Sequence, residues 1–399
     1  MRAAGFAVAY LMTAFFALGA QAETPPADPT ALDAAALDAA TADACDRRVV
    51  VLGEVRTHGD GHAIAFKAAL AHRLITQCGF KAVLWESSFY EFDHLDRQVA
   101  AGTPVTHEQV AAAINGIWNQ DAPVQPLIDE LAARANRHEI MLGGFDDIWD
   151  MAGMTYTTDV LPKILADRLA PPEGQTCADA FHARLYGGFS PDMSGAAAMH
   201  QGVTDCLAHI RATIPAADSR DVDVLDSLQR YIASETLPYA EQQASNERAM
   251  YLNVRRLIDR LPPDSKVVVW TATTHGAFQT SNKDGIETQR MGGYIHDAFG
   301  DRALVIAIGA AGGSYGMAGR TTVEPIPSPA ANSVEAQALK DTGASAVYVA
   351  PSRLKSFGVA PAGLLDHGAP MTRDWSATVD AAVILREEYP VPHVAPPAG

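Results

Sequence analysis

VVVLGEVRTHGDGHAIAFKAALAHRLITQCGFKAVLWESSFY, residues 49–90, is the stretch from which the fold follows. Val49 to Leu52 and Ala82 to Trp85 are apolar runs of strand length, and between them Phe66, Leu70, Leu74 and Ile75 recur at helical spacing. This predicts a strand, a helix and a second strand of one parallel sheet. Glu54, Arg56 and His58 sit in the turn after the first strand, and Glu86 ends the second. Both groups therefore fall at the carboxyl edge of the sheet, where open α/β proteins bind ligands.

Outward from this unit, the 399 residues, 48% of them apolar, suffice for one α/β domain with an insertion. Arg2, the apolar run from Ala7 to Leu18 and Ala20-Gln21-Ala22 have the layout of a secretory signal, and the run is short for a membrane span. Residues 1–22 are thus expected to be a signal peptide and the mature protein to be periplasmic or secreted, with no membrane partner after cleavage. Without that segment 29 basic residues stand against 47 acidic ones, a net charge of −18 that argues against nucleic acid as a partner. Four cysteines in an exported chain favour disulfides. Cys45 and Cys78 precede neighbouring strands and are paired on that ground, and Cys177 with Cys206 by elimination; four free thiols remain the alternative.

Residues 23–44, rich in Pro and Ala, read as a linker that can hold a short helix. A third strand, Glu139 to Phe145, ends in Asp146-Asp147. Residues 151–260 show helical patterning and no strand, which predicts an all-helical insertion or lid over the sheet edge. Strands resume at Lys266 to Trp270, with His275 just beyond, then in ALVIAIGAAGG, Ala346 to Val349 and Ala381 to Leu385; MGGYIHDAFG reads as a helix. The α/β domain spans 45–388, a mixed, largely parallel sheet flanked by helices, and 389–399 form a Pro-rich tail expected to lack order.

Acids and imidazoles follow four of these strands: Glu54 with His58, Glu86, Asp146 with Asp147, and His275. A histidine between carboxylates can take a proton from water, and a second can polarise a carbonyl or protonate a leaving alkoxide. Trp85, Phe89, Tyr90, Trp118 and Trp270 are candidate apolar walls for a substrate or else core packing, and Arg56 either pairs with an acid or binds an anionic group. His62 stands four residues after His58, a metal-ligand spacing on a helix, but Gly59 and Gly61 argue against a regular helix there. GGSYG, 312–316, matches a nucleophile elbow in form, yet no helix pattern follows Ser314, so these glycines read as a loop wall.

LGEVRTHGDGH, FKAAL, GFKAVLWESSFY, IWNQDAPVQPLIDEL, GGFDD, NERAMYLNV, VVVWTATTHGAF and MGGYIHDAFG occur in the order found in the erythromycin esterase family, which the chain resembles over about residues 48–315. The resemblance implies a mixed α/β fold with a helical insertion, and hydrolysis of a macrolide ring ester by activated water. It also implies a general-base role for His58, active-site carboxylates at Glu54 and Glu86, and His275 as second histidine. Two positions depart from the macrolide-inactivating members: Glu54 and His58 are one residue farther apart, and Ala272 stands where the first histidine of a His-Asn-x-His pattern would be.

The expected function is therefore an exported hydrolase of carboxylic esters or lactones acting on a small molecule. No cofactor is expected, although a divalent metal is compatible with the residues. The alternative is a periplasmic metal- or haem-binding protein that uses His58, His62, His275 and the acids as ligands, since the Gly-Glu-x-x-x-His start also resembles that of haem-uptake proteins of a related fold.

Overall fold

The computed structural model describes residues 33–394 apart from 152, 216 and 282–286. The expected signal peptide, the start of the linker and residues 395–399 of the tail lie outside these. A seven-stranded sheet is built from β1 (Val49–Glu54), β3 (Ala82–Ser88), β4 (Met141–Asp146), β5 (Val267–Ala272), β6 (Ala303–Ala310), β8 (Ala346–Val349) and β9 (Ala381–Leu385). Two short strands, β2 (His58–Gly59) and β7 (Ser314–Met317), pair with each other above it. The order is β8-β9-β6-β1-β5-β3-β4, parallel throughout except for β8, so the fold is the mixed, largely parallel α/β type expected.

Strands covered on both faces need apolar residues at every position, and VVVL, AVLW, VVVW and ALVIAI supply them. Val49 and Val51 join the core cluster under the helical insertion, while Val50 and Leu52 join the cluster under the helix α2 (Gly61–Cys78). Each such side chain contributes roughly 1.5–3 kcal/mol on burial. The chain leaves β1 towards one edge of the sheet and β5 towards the other, which opens a crevice at their carboxyl ends. Glu54 is in register with Ala272, and Trp85 with Trp270. Gly53 is required there, because a Cβ would stand 2.6 Å from the Thr273 Cα in the turn that folds across the end of β1.

Half of the expected linker is the short helix allowed for there, α1 (Ala34–Ala44), whose Leu37 and Ala40 are fully buried, so this half packs onto the domain. Two expectations need correction. The tail is ordered as far as Val394: it pairs with the main chain at Asp60 and Asp121. The GGSYG segment is a strand partner of His58 rather than a loop wall. As expected, no helix joins His58 to His62: α2 begins only at Gly61, and His62 in its first turn is tied to Asp33 at 2.6 Å and to the Glu387 carbonyl at 2.8 Å.

Both expected disulfides are formed, Cys45–Cys78 and Cys177–Cys206. The first joins the end of α1 to the end of α2 across 33 residues. On a chain-entropy basis its removal in Cys45→Ser/Cys78→Ser should cost about 3–4 kcal/mol, read as a lowered urea midpoint. An unchanged midpoint would mean that the bond does not restrict the unfolded chain.

Candidate active site

Glu54, at the end of β1, is fully buried. Isolated, such a charge would be driven to neutralise. Here its Oε1 accepts from the Trp118 indole and faces His58 Nδ1, both at 2.9 Å, while its Oε2 accepts from the Lys67 ammonium. Burial raises the Glu54 pKa, but the Lys67 charge and then His58 outweigh it and bring the carboxyl to about 2. Lys67, also fully buried, reaches down from α2, donates to the Thr271 carbonyl at 3.0 Å and lies 4.2 Å over the Trp270 ring. Its own pKa is lowered by burial, against the pull of Glu54.

His58 adopts φ +53°, a strained conformation for a residue with a side chain, and β2–β7 pairing holds it. Burial lowers its pKa, but the hydrogen bond and charge of Glu54, with the Glu86 charge, leave it raised above 6.5. With Nδ1 engaged by Glu54, the tautomer that donates from Nδ1 leaves a lone pair on Nε2, which has no hydrogen-bond partner among the described residues.

His275 lies in the turn Thr273–Gly276 after β5. Its Nδ1 is 2.8 Å from Glu247 Oε1 and its Nε2 is 3.6 Å from Glu86 Oε1. Burial lowers its pKa, but the charges of Glu247, Glu86 and Asp146 lift it to about 10, so this ring is an imidazolium at neutral pH. Glu86 is fixed through Oε2, which accepts from the Thr271 hydroxyl at 2.5 Å and the Ala272 amide at 2.8 Å. Burial raises Asp146 to about 6, and raises Asp147 and Asp121 to about 8, so Asp147 and Asp121 are mostly neutral at pH 7.

The four expected residues Glu54, His58, Glu86 and His275 thus share one sheet edge, in two linked clusters. Trp85 and Trp270, 4.7 Å apart, are fully buried and form the floor of the site rather than an open wall; Tyr90 is buried too and donates to the Asp147 carbonyl at 3.0 Å. Arg56 points outward into an ion pair with Asp366 at 2.6 Å. Sequence reading missed Lys67, Glu247 and Arg290, which donates to Glu247 at 2.9 Å. A signal was present for Lys67, a lone cation on the apolar stripe of α2. For Glu247, on the insertion's last helix (Tyr239–Arg260), only the motif NERAMYLNV marked the place. Among the described residues no three His, Cys, Asp or Glu side chains group as metal ligands would.

The sequence model of the erythromycin esterase family matches residues 75–389. The chain belongs to that family. Among solved structures, an erythromycin esterase mutant in its open conformation shares 13% identity and a TM-score of 0.62, over 89% of this chain and 94% of its own. A succinoglycan biosynthesis protein shares 14% identity and a TM-score of 0.67, over 90% and 92%. A protein from Bacillus cereus shares 14% and 0.66, over 90% and 93%. These likenesses extend the family's fold to nearly the whole chain. No curated protein is significantly similar in sequence.

Within this family member the Glu54–Lys67 pair is buried on both sides, so removal of one partner strands the other charge. Lys67→Met leaves a buried carboxylate without its cation and is expected to cost about 3–5 kcal/mol by urea unfolding, while Glu54→Gln/Lys67→Met should cost less than the two single changes together. Because the Glu54 pKa is depressed, its contribution is complete above its ordinary 4.5 and is lost as pH falls towards 2. Additive costs would show that the two groups do not depend on each other.

Proposed function

We propose that the protein is an exported hydrolase of carboxylic esters or lactones, with His58 as general base and water as nucleophile. The observation that carries this is the pairing of His58 Nδ1 with the fully buried carboxylate of Glu54, which leaves Nε2 at the crevice free to accept a proton. In the proposed step His58 Nε2 takes a proton from water and the resulting hydroxide adds to the ester carbonyl carbon. The carbonyl oxygen becomes an oxyanion, stabilised by the Nε2–H of the His275 imidazolium. The tetrahedral intermediate then breaks its C–O bond to the leaving alkoxide, which receives the proton held on His58. Glu54 stabilises the imidazolium formed at His58, and Glu86 and Glu247 keep His275 protonated and oriented.

Macrolide ring esters are candidate substrates through family membership alone. Ala272, where the macrolide-inactivating members carry a histidine, makes simple aryl esters and lactones equally worthwhile probes. The experiment is a screen of the mature protein and His58→Ala against all three classes, with and without chelator. The variant should lose about 100-fold or more in kcat/KM with its fold intact. Retained turnover would remove the base assignment; chelator-sensitive turnover would replace it with metal-assisted hydrolysis; stoichiometric metal or a Soret band without turnover would favour the binding protein.

The pH dependence has a definite sign. A base is useful only when neutral, and the His58 pKa is raised, so kcat/KM should climb with pH through a midpoint above 6.5. An acid is useful only when protonated, so the rate should fall again near pH 10 as His275 loses its proton. A rate that is flat from pH 6 to 11 would exclude both roles.

A further inference from the structure

The last described residues, 387–394, run as a strap beneath the turn that carries His58. Glu388 is buried, and its carboxylate accepts from the first amides of α2: Oε1 from His62 at 2.6 Å and Oε2 from Ala63 at 3.2 Å, with Oε1 also taking the Tyr389 amide at 3.0 Å. Main-chain bonds continue the attachment on both sides. The Gly61 amide donates to the Tyr389 carbonyl at 2.8 Å, and the Val391 amide to Gly59 at 2.9 Å. The Glu388 amide donates to Gly312, and its carbonyl accepts from Ser314, at 2.9 and 3.0 Å, which fixes the start of β7, the strand partner of His58. Farther along, the Ala122 amide donates to the Pro392 carbonyl and the Val394 amide to Gln120, both at 2.8 Å, so the same strap holds the loop after Trp118, whose indole bonds Glu54. Gly61 is needed for the close approach, since a Cβ there would lie 2.7 Å from the Tyr389 ring.

The strap thus touches all three segments that set the Glu54–His58 geometry: the base turn, its strand partner and the indole loop. His58 sits in a strained left-handed conformation, which persists only where the surroundings over-determine it. Glu388 stands at the centre of those attachments, 326 and 325 residues in sequence from the His62 and Ala63 amides it accepts, and reaches them only because residues 387–394 return here. We propose that Glu388 is a positioning residue for the general base, acting through the first turn of α2 to hold His58 against Glu54. The kinetic part of this inference rests on the hydrolase reading; the geometric part does not.

The test uses the full mature protein with Glu388→Ala, Glu388→Gln and a control, Glu335→Ala, which removes another buried carboxylate that accepts a backbone amide, that of Gly363. The His58 ring is followed by NMR of histidine-labelled protein, its signal assigned by its loss in His58→Gln. Glu388→Ala should move the His58 titration midpoint down towards 6.5 and lower kcat by about 10- to 100-fold with KM changed less than about threefold. Burial and then the Asp60 charge raise the Glu388 carboxyl to about 8. Glu388→Gln keeps one acceptor oxygen for the His62 and Tyr389 amides but turns a donor NH2 towards the Ala63 amide, so it should restore only part of both readouts. Glu335→Ala should lower the melting temperature and leave the His58 midpoint in place. Should Glu388→Ala not fold, Glu388→Asp carries the same test, since one methylene less cannot span both amides.

A folded Glu388→Ala or Glu388→Asp with an unmoved His58 midpoint overturns the proposal, as does an equal shift in Glu335→Ala. If the wild type hydrolyses no ester, the functional reading fails and the NMR comparison alone decides the role of Glu388.

Discussion

A negative charge without access to water sits at the end of β1, and the rest of the site is the arrangement that makes it tolerable. A carboxylate such as Glu54 loses several kcal/mol of hydration on burial, so it stays ionised only where donors and an opposite charge replace water on both oxygens. Lys67 comes from α2, His58 from the turn, and Trp118 from a loop more than sixty residues away in sequence. Lys67 also bonds the end of β5 through Thr271 and rests on the Trp270 ring. One buried carboxylate therefore ties together the first strand, the first crossover helix, the neighbouring strand and the indole loop.

The two histidines have the same neighbours in kind, carboxylates, but different balances. At His58 the buried Lys67 opposes part of the effect of Glu54, and the pKa is raised above 6.5. At His275 three carboxylates act together, and Arg290 is bonded to the far partner, Glu247, rather than placed against the ring. Environment alone thus separates two chemically identical side chains, one raised against an opposing buried cation and the other lifted to about 10 by three carboxylates.

The strands were legible because a sheet covered on both faces demands unbroken apolar runs, and such runs are visible without knowing what covers them. Their polar ends were legible for the same reason: Glu54, Glu86, Asp146 and His275 each stand where an apolar run stops. What periodicity cannot show is which distant side chain meets which end. Glu247 holds His275 from 28 residues away, and Glu388 meets α2 from 326 residues away. Local composition left the helix before β1 undecided and misled at the tail. Ala-rich α1 has almost no polar face to mark it as amphipathic, yet buries Leu37; the prolines after Tyr389 break helices and central strands but not an extended strap bonded through the Glu388, Tyr389 and Pro392 carbonyls and the Val391 and Val394 amides.

The insertion is better understood as two parts than as one lid. Its final helix, Tyr239–Arg260, belongs to the body of the site: Asn253 donates to the Phe145 carbonyl of β4 at 3.1 Å, and Glu247 holds His275 and accepts from the Met291 amide. Arg260 and Arg220 both pair with the buried Asp93, and Arg256 pairs with Asp223, so the preceding helix Ser219–Ser234 is fastened to it and to the helix Phe89–Ala100. A swing of this pair away from the sheet would break the 2.8 Å contact that orients His275 and separate Arg220 and Arg260 from Asp93. The outer helices, Leu161–Ala166, Glu173–Tyr186 and Ala196–Thr213, carry none of these contacts, and the Cys177–Cys206 bond braces the last two against each other.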